Sequence, residues 1–437
     1  MKLRPYLTPH PSRLTSKFLS GIDFFQVLVD HHIRRKKGPG HVTRLAIFLK
    51  GKLEKEALEQ AVFENELCQP IARLRLDSHW GLGYSTLFFT KRKSAIPIDY
   101  QEVLDKDIPL GLLNAPLDFH KKPPLAIQVL YFKNEEKTCL LFSFHHTVFD
   151  HAGVQALIHA LNGKTGVPLF PPKPDHPPFS ERFKAFFRAI GFAFKEGNAS
   201  MTAIEKPLPR GSQRRIVFRE MVFTKEETAA ISANSKAEGT VHHRSAFLLA
   251  CTCKALHDGV FSQQKKHAFL WAPVPVNFRK KGGQDAVLLN GLSFLFYKLK
   301  PADLANLEAS VSAIQQQMRE QMRRQLPQAF LEFTNGYRFV PLPIYYPMFN
   351  LPSWGKLSSF SFSSLGESFH GLEAFLGLPV LDIQHFPSNF IVPGLTVVFY
   401  EFRGQLRLMS SWVAGQFSGE EQAGILAAMK VLLLSTR

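Results

Sequence analysis

The run PLAIQVLYFKNEEKTCLLFSFHHTVFDHAG, residues 124–153, constrains this chain more than any other stretch. PLAIQVLYF and KTCLLFSFHH read as two strands joined by the polar turn Lys133-Asn134-Glu135-Glu136, and HAGVQALIHAL (His151–Leu161) has helical spacing. A buried strand that runs through a short loop into a helix belongs to a mixed α/β fold, and strand ends that feed loops are where such folds place functional groups. His145 and His146 stand at that strand end, and Asp150 stands just ahead of the helix.

The mixed pattern continues on both sides. VTRLAIFLKGKL alternates like a strand, and KEALEQAVFENEL has helical spacing. Later, RRIVFREMVF, HAFLWAPVPVNFR, SSFSFSSLG, PVLDIQHF and GLTVVFYEFRGQLRLMSSWV read as strands, the last as a hairpin turning at Arg403-Gly404. Residues 241–257 and 304–324 read as helices, with His242-His243 a helix start without chemistry. The final helix opens on a capping box, Ser418 with Glu421. Between the halves, PLFPPKPDHPP marks a linker. The division is therefore residues 1–166, a linker 167–212, and residues 213–437. Inside the linker Phe183, Phe186, Phe187, Ile190 and Phe194 share one helical face, flanked by Arg182, Lys184, Arg188 and Lys195. Such a helix either packs its Phe stripe on the protein or lies in a membrane interface.

Composition bounds the function. At 45% hydrophobic and 20% charged, the 437 residues can bury a sizeable core. The 40 phenylalanines exceed what Tyr and Trp lead one to expect, which fits an aromatic core together with an apolar tunnel or a lipid-facing surface. The net charge of +17 favours an anionic partner, such as an acidic carrier protein, a phosphorylated cofactor or an anionic membrane surface. No basic arm or recognition motif supports nucleic acid. The four cysteines lack zinc spacing and do not suggest a disulfide framework. Adjacent histidines on a strand point to opposite faces, so only one enters a site easily, which argues against a metal. The first residues hold no apolar targeting core, and no apolar run approaches the ~20 residues a bilayer needs. The expectation is a cytoplasmic protein, soluble or peripheral at the inner membrane face.

A neutral imidazole can take a proton from a hydroxyl or amine near pH 7. From spacing alone, His145 and His146 are either that base or two histidines ending a strand, and Asp150 either braces the loop or caps the helix. HHTVFDHAG resembles the HHxxxDG signature of the CoA-dependent acyltransferase superfamily, which includes chloramphenicol acetyltransferase, condensation domains and the wax ester synthase/diacylglycerol acyltransferases. PLDFHKKPPLAIQVLYF, APVPVNFRKKGGQDAVLLNGLSFLFYKL, LSGIDFF with HVTRLAIFLKGKLEKEALEQAV, and GLTVVFYEFRGQLRLMSSW resemble segments of the wax ester synthase branch, in order along nearly the whole chain. The chain departs from that pattern where His151 replaces the usual glycine after the Asp, with Gly153 two residues further on.

The resemblance implies an α/β (α+β) fold of two chloramphenicol-acetyltransferase-like mixed-sheet halves, with an active-site tunnel at their interface. It implies a candidate catalytic set of His146, His145 and Asp150. In it His146 is the general base, His145 a support for the loop, and Asp150 the partner of Arg279 in a structural ion pair. Asn290, Ser361, Ser363, Ser364, His151 and Gly153 are implied as oxyanion or substrate-binding candidates. The substrate would be a coenzyme A or phosphopantetheine thioester, brought as acyl-CoA or on an acyl carrier protein, with no bound cofactor. The acyl group would pass to an alcohol, a lipid-like one by composition, rather than to an amine. An amide-forming condensation enzyme and a non-catalytic member of the fold are the rival readings.

Overall fold

The computed structural model describes residues 13–77, 85–104, 106–171, 177–196, 201–204, 206–207, 213–240, 244–264, 268–279, 286–288, 290–350 and 357–435. The expected helix start at His242-His243 and part of the proline-rich linker lie outside them.

Two sheets organise the chain. The first has six strands in the order Ala374–Phe375, Leu378–Phe386, Val42–Lys50, Lys137–His145, Leu125–Phe132 and Ile98–Val103. All neighbours run antiparallel except the last pair. The strand that ends in His145 is therefore central, paired along its length with Val42–Lys50 and Leu125–Phe132. Its residues Cys139–Phe144 are all buried, which is why KTCLLFSF reads as a continuous apolar run rather than an alternating one. Leu378–Phe386 comes late in the sequence yet pairs with Val42–Lys50, so the two halves share the first sheet.

The second sheet holds Ser361–Glu367, Leu395–Phe402, Gln405–Val413 and Ile216–Val222, the first two parallel. The hairpin within it turns at Arg403-Gly404, both at positive φ (50° and 74°), the turn geometry that matches the twist of paired strands. A two-stranded hairpin, Leu270–Asn277 with Leu292–Leu299, is tied alongside where Ser359 N donates to Trp271 O at 2.8 Å. Helices Arg244–Leu256 and Gly419–Leu434 share a core with this sheet around Phe247, Phe399 and Trp412. Helices Gly21–Arg35 and His151–Leu161 belong to the core of the first sheet.

The linker is tied down at several points. Val287 N and Leu288 N donate to the carbonyls of Pro168 and Leu169 at 3.0 and 2.8 Å. Helix Phe179–Glu196 packs on helix Leu326–Tyr337 through Ala189, with Phe186 against Phe333 and Phe192 against Phe330. The Phe stripe divides: Phe186 turns inward, while Phe183, Phe187 and Phe194 stay 53, 51 and 85% exposed. Among the described residues no helix is long and apolar enough to cross a membrane.

Gly153 marks a place where the halves meet closely. A Cβ there would lie 2.2 Å from the main-chain oxygen of Val287, so helix His151–Leu161 touches the backbone of the other half. Gly153→Ala should therefore destabilise the fold by about 1–3 kcal/mol through overpacking. Gly111→Ala, where a Cβ meets open space, should cost nothing measurable. Thermal unfolding of the two variants side by side checks this; equal midpoints would count against the close approach.

Candidate active site

A cavity of about 890 Å³ lies between the halves. Helix Gly21–Arg35 gives it Phe25 and Val29, the central strands give Leu45 and Phe144, and the second sheet gives Ser361, Ser363, Thr396 and Val398. The linker helix adds Ile190 and Phe194, the latter exposed enough to stand at the mouth. Eleven phenylalanines line the cavity, so part of the chain's Phe excess belongs to this wall.

The two histidines separate where the strand ends. His145 is buried away from the cavity, its Nε2 3.5 Å from Asp30 Oδ1 and its ring 5.2 Å from that of Phe119. It is not among the residues that line the cavity. His146 lines the cavity, and its main-chain N donates to His41 O at 2.9 Å. Its Nδ1 is enclosed without a hydrogen-bond partner, so Nε2 is the nitrogen available to the cavity. Burial pushes the His146 imidazole below its ordinary value, opposed in part by its own carbonyl and by Asp150. At neutral pH it is an unprotonated base facing an apolar space.

Sequence reasoning missed the residue that backs this base. The His41 ring stacks on His146 at 4.6 Å with 7° between the planes. Its Nε2 is 2.9 Å from Gln26 Oε1 and its Nδ1 is 2.9 Å from Ser388 Oγ, while its main-chain N donates to Asp30 Oδ1 at 2.7 Å. Burial, and then the adjacent His146, hold His41 well below the ordinary imidazole value. Asp30 is buried too, which works to raise its carboxyl, but His145 and Arg34 together hold it well below the usual carboxylate range. The signal for His41 is weak in sequence, because Gln26, Asp30 and Ser388 come from two distant segments.

Asp150 is both helix cap and ion-pair partner. Oδ1 accepts from Gly153 N at 2.9 Å, capping helix His151–Leu161, and from Arg279 Nη2 at 2.6 Å. Oδ2 accepts from Arg279 Nε at 3.1 Å and from Gly291 N at 2.9 Å. The two readings left open by spacing are thus simultaneous. Arg279 also donates from Nη1 to Ala286 O at 2.9 Å and is 4% exposed as a side chain. This carboxylate lines the cavity with its acceptor positions filled by those four bonds.

Asn290, expected at an oxyanion, does not line the cavity. Its Nδ2 donates to the carbonyls of His146 and Thr147 at 3.0 and 2.9 Å and to Asp23 Oδ1 at 2.9 Å, so it ties the histidine loop to helix Gly21–Arg35. Gly153 likewise serves packing. Ser364 points to the opposite face of its strand from Ser361 and Ser363, which do line the cavity. Ser361 Oγ is buried there without a partner, as is Ser358 Oγ nearby in the wall. Ser358 was not anticipated. His151 lines the cavity as a fixed wall, its Nε2 accepting from Gln155 Nε2 at 2.6 Å and its ring 4.9 Å from that of His385. The four cysteines are buried with their thiols pushed up by burial, which leaves none suited as a nucleophile. Among the described residues no cluster of three or more His, Cys, Asp or Glu could hold a metal.

This architecture, two mixed-sheet halves around a cavity reached by a strand-end histidine, is the fold of the condensation domains and chloramphenicol-acetyltransferase-like acyltransferases. No family model matches the chain, and no curated protein is similar to it in sequence. Among solved structures it is similar to the trichothecene 15-O-acetyltransferase from Fusarium sporotrichioides, with TM-score 0.72 and 14% identity over 98% of this chain and 96% of that one. It is similar to the first condensation domain of the CDA synthetase, with TM-score 0.67 and 12% identity over 97% of each chain. Polyketide synthase associated protein 5 from Mycobacterium tuberculosis aligns with TM-score 0.64 and 16% identity over 98% of this chain and all of that one. At these identities the likeness is one of fold.

The Asp150–Arg279 pair and the buried histidines both bear on stability. Arg279→Met leaves Asp150 buried without its counter-charge and should cost about 3–5 kcal/mol of stability. A melting temperature equal to that of the parent would refute the pairing. His32 and His151 are held at about 4 by burial, and His41 and His385 also lie well below the ordinary value. Each binds a proton more readily when unfolded, so stability is complete above about pH 6.5 and is lost as the pH falls towards about 4. Thermal melts stepped from neutral to acid should show that decline; a flat midpoint across the window would count against neutral burial.

Proposed function

We propose that this chain is an acyltransferase that moves an acyl group from a thioester to an acceptor hydroxyl, with His146 as general base. The observation that carries the reading is His146 itself, a buried imidazole whose free nitrogen faces an apolar cavity closed from both halves. The low-identity likeness to an O-acetyltransferase and to condensation domains supports acyl transfer as the class of reaction.

A thioester is already activated, so no covalent enzyme intermediate is needed. His146 Nε2 takes the acceptor proton as the acceptor oxygen attacks the thioester carbon. The carbonyl oxygen becomes an oxyanion, for which the partnerless hydroxyl of Ser361 is the candidate donor, with Ser358 and Ser363 beside it in the same wall. The C–S bond then breaks, and the thiolate takes the proton back from the imidazolium. His41, stacked on His146 and hydrogen-bonded at both ring nitrogens, keeps the base in one orientation. The donor is a coenzyme A or phosphopantetheine thioester. The Phe-rich wall supports a lipid-like acceptor of the kind the wax ester synthase resemblance implies. The exposed Phe179, Phe183, Phe187 and Phe194 on the linker helix support contact with a lipid surface. An amine acceptor, as in condensation chemistry, would use the same base.

The test is thiol release from acyl-CoAs of graded chain length, given pooled alcohols and amines, with mass spectrometry of the product. His146→Ala should lower turnover about 10²–10⁴-fold. Because burial lowers the His146 pKa, the acid limb of kcat/KM should fall below the ordinary imidazole value of about 6.5, with full activity above it. Acceptor-dependent release that survives His146→Ala would sink the assignment. Release only from an acyl-loaded carrier protein would move the donor from coenzyme A to a carrier.

A further inference from the structure

Apart from its histidines, the cavity wall contains two side chains of a kind charged at neutral pH, Asp150 and Arg44. Asp150 is neutralised by Arg279. Arg44 is not neutralised. It stands on the central strand Val42–Lys50, directly opposite Ser143 on one side and Phe386 on the other, and is 4% exposed. Its Nη2 donates to the carbonyl of Ala115, and its Nε is enclosed without a hydrogen-bond partner. No carboxylate among the described residues forms an ion pair with it, and the buried carboxylates of the surrounding elements are already engaged. Asp382 and Glu220 face Arg407, Asp30 faces Arg34, and Asp23 accepts from Asn290.

A guanidinium has five donors and is protonated at neutral pH, so burial is not relieved there by losing the proton. Burial does lower the Arg44 pKa, to about 9, which still leaves the charge in place at neutrality. An enclosed charge without a counter-charge is unfavourable. The one bond Arg44 makes, to a main-chain carbonyl, asks only for a neutral donor. The charge has no structural use within the chain, yet it stands in the wall of a cavity that is otherwise largely apolar.

We propose that Arg44 is an anion subsite of the substrate cavity, which takes a carboxylate carried on an otherwise apolar chain. The subsite rests on the reading of this cavity as the acyl-transfer site and narrows its substrate class from neutral lipids to amphiphiles with one acidic end. A carboxylate suits it because the cavity offers hydrocarbon contact around a single enclosed cation, too little polar surface for a bulky polyanion.

The experiment compares ω-hydroxy fatty acids of graded chain length with their methyl esters, which keep length and hydroxyl and remove the charge. Binding is measured by calorimetry on the parent and on His146→Ala, so no turnover is needed, and acyl-CoA thiol release is measured in parallel. At a matching chain length the acid should bind about tenfold more tightly than its ester, the worth of a charge-assisted hydrogen bond. Arg44→Lys should keep part of that preference, and Arg44→Gln, which retains a donor for Ala115, should abolish it. Equal binding of acid and ester by the parent protein would overturn the subsite without recourse to any variant. So would a preference that persists in a folded Arg44→Gln, or tighter binding of an alkyl phosphate than of every acid. Failure of the acyl-transfer reading has a different signature, an acid preference that holds in the absence of any thiol release.

Discussion

The carboxylate of Asp150 is the point on which the candidate site depends. Its two oxygens accept from Gly153 N, Gly291 N and two nitrogens of Arg279, so one side chain caps a helix, anchors a strand start and neutralises a buried cation from the other half. Charge-assisted bonds of this kind are roughly twice as strong as neutral ones. They are also directional, and here all four converge on the loop between His146 and the helix. The loop is therefore held where Arg279, Asn290 and Gly291 meet it. Asn290 fastens the same loop from the main-chain side by binding the carbonyls of His146 and Thr147. The seam between the halves and the position of His146 are one structural fact.

Around His146, Asp150, Arg279 and both ring nitrogens of His41 are satisfied, whereas His146 Nδ1, Thr147 Oγ1 and Asn290 Oδ1 lack partners. In the cavity wall Ser361 Oγ, Ser358 Oγ, His385 Nε2 and Arg44 Nε also lack partners. Buried polar atoms in a native fold are normally paired, so a group of orphans in the wall of one cavity calls for a ligand or ordered water to complete them.

Much of the framework was legible in sequence because it depends on local pattern. The strand ending in His145, the turn at Arg403-Gly404 and the capping box at Ser418 and Glu421 each follow from residues adjacent in the chain. The pairing of Asp150 with Arg279 was reached only through family resemblance, since 129 residues separate the two. Asn290 was placed near the site and given the wrong task, because its three donor contacts depend on carbonyls whose direction no spacing reveals. Helix Leu326–Tyr337 was missed although Leu326, Ala329, Phe330, Phe333 and Tyr337 fall at helical spacing. The transfer of Leu378–Phe386 into the first sheet was not readable, because strand pairing across the chain leaves no local mark.

The two sides of the cavity obey different physics, and that difference has a functional consequence. On the sheet side, hydrogen bonds and ion pairs fix His146, His41 and Asp150 in one arrangement. On the helical side the wall is a chain of aromatic contacts: Phe296 to Phe330 at 4.5 Å, Phe330 to Phe333 at 6.2 Å, Phe333 to Tyr337 at 4.4 Å and Tyr337 to Tyr345 at 5.0 Å. Dispersion contacts of this kind tolerate volume-conserving change far better than a hydrogen-bonded network does. Substitutions among these aromatics would alter the shape of the cavity while leaving His146 in place. Under the proposed acyl transfer, the strand ends would hold the chemistry and the aromatic side would choose the chain.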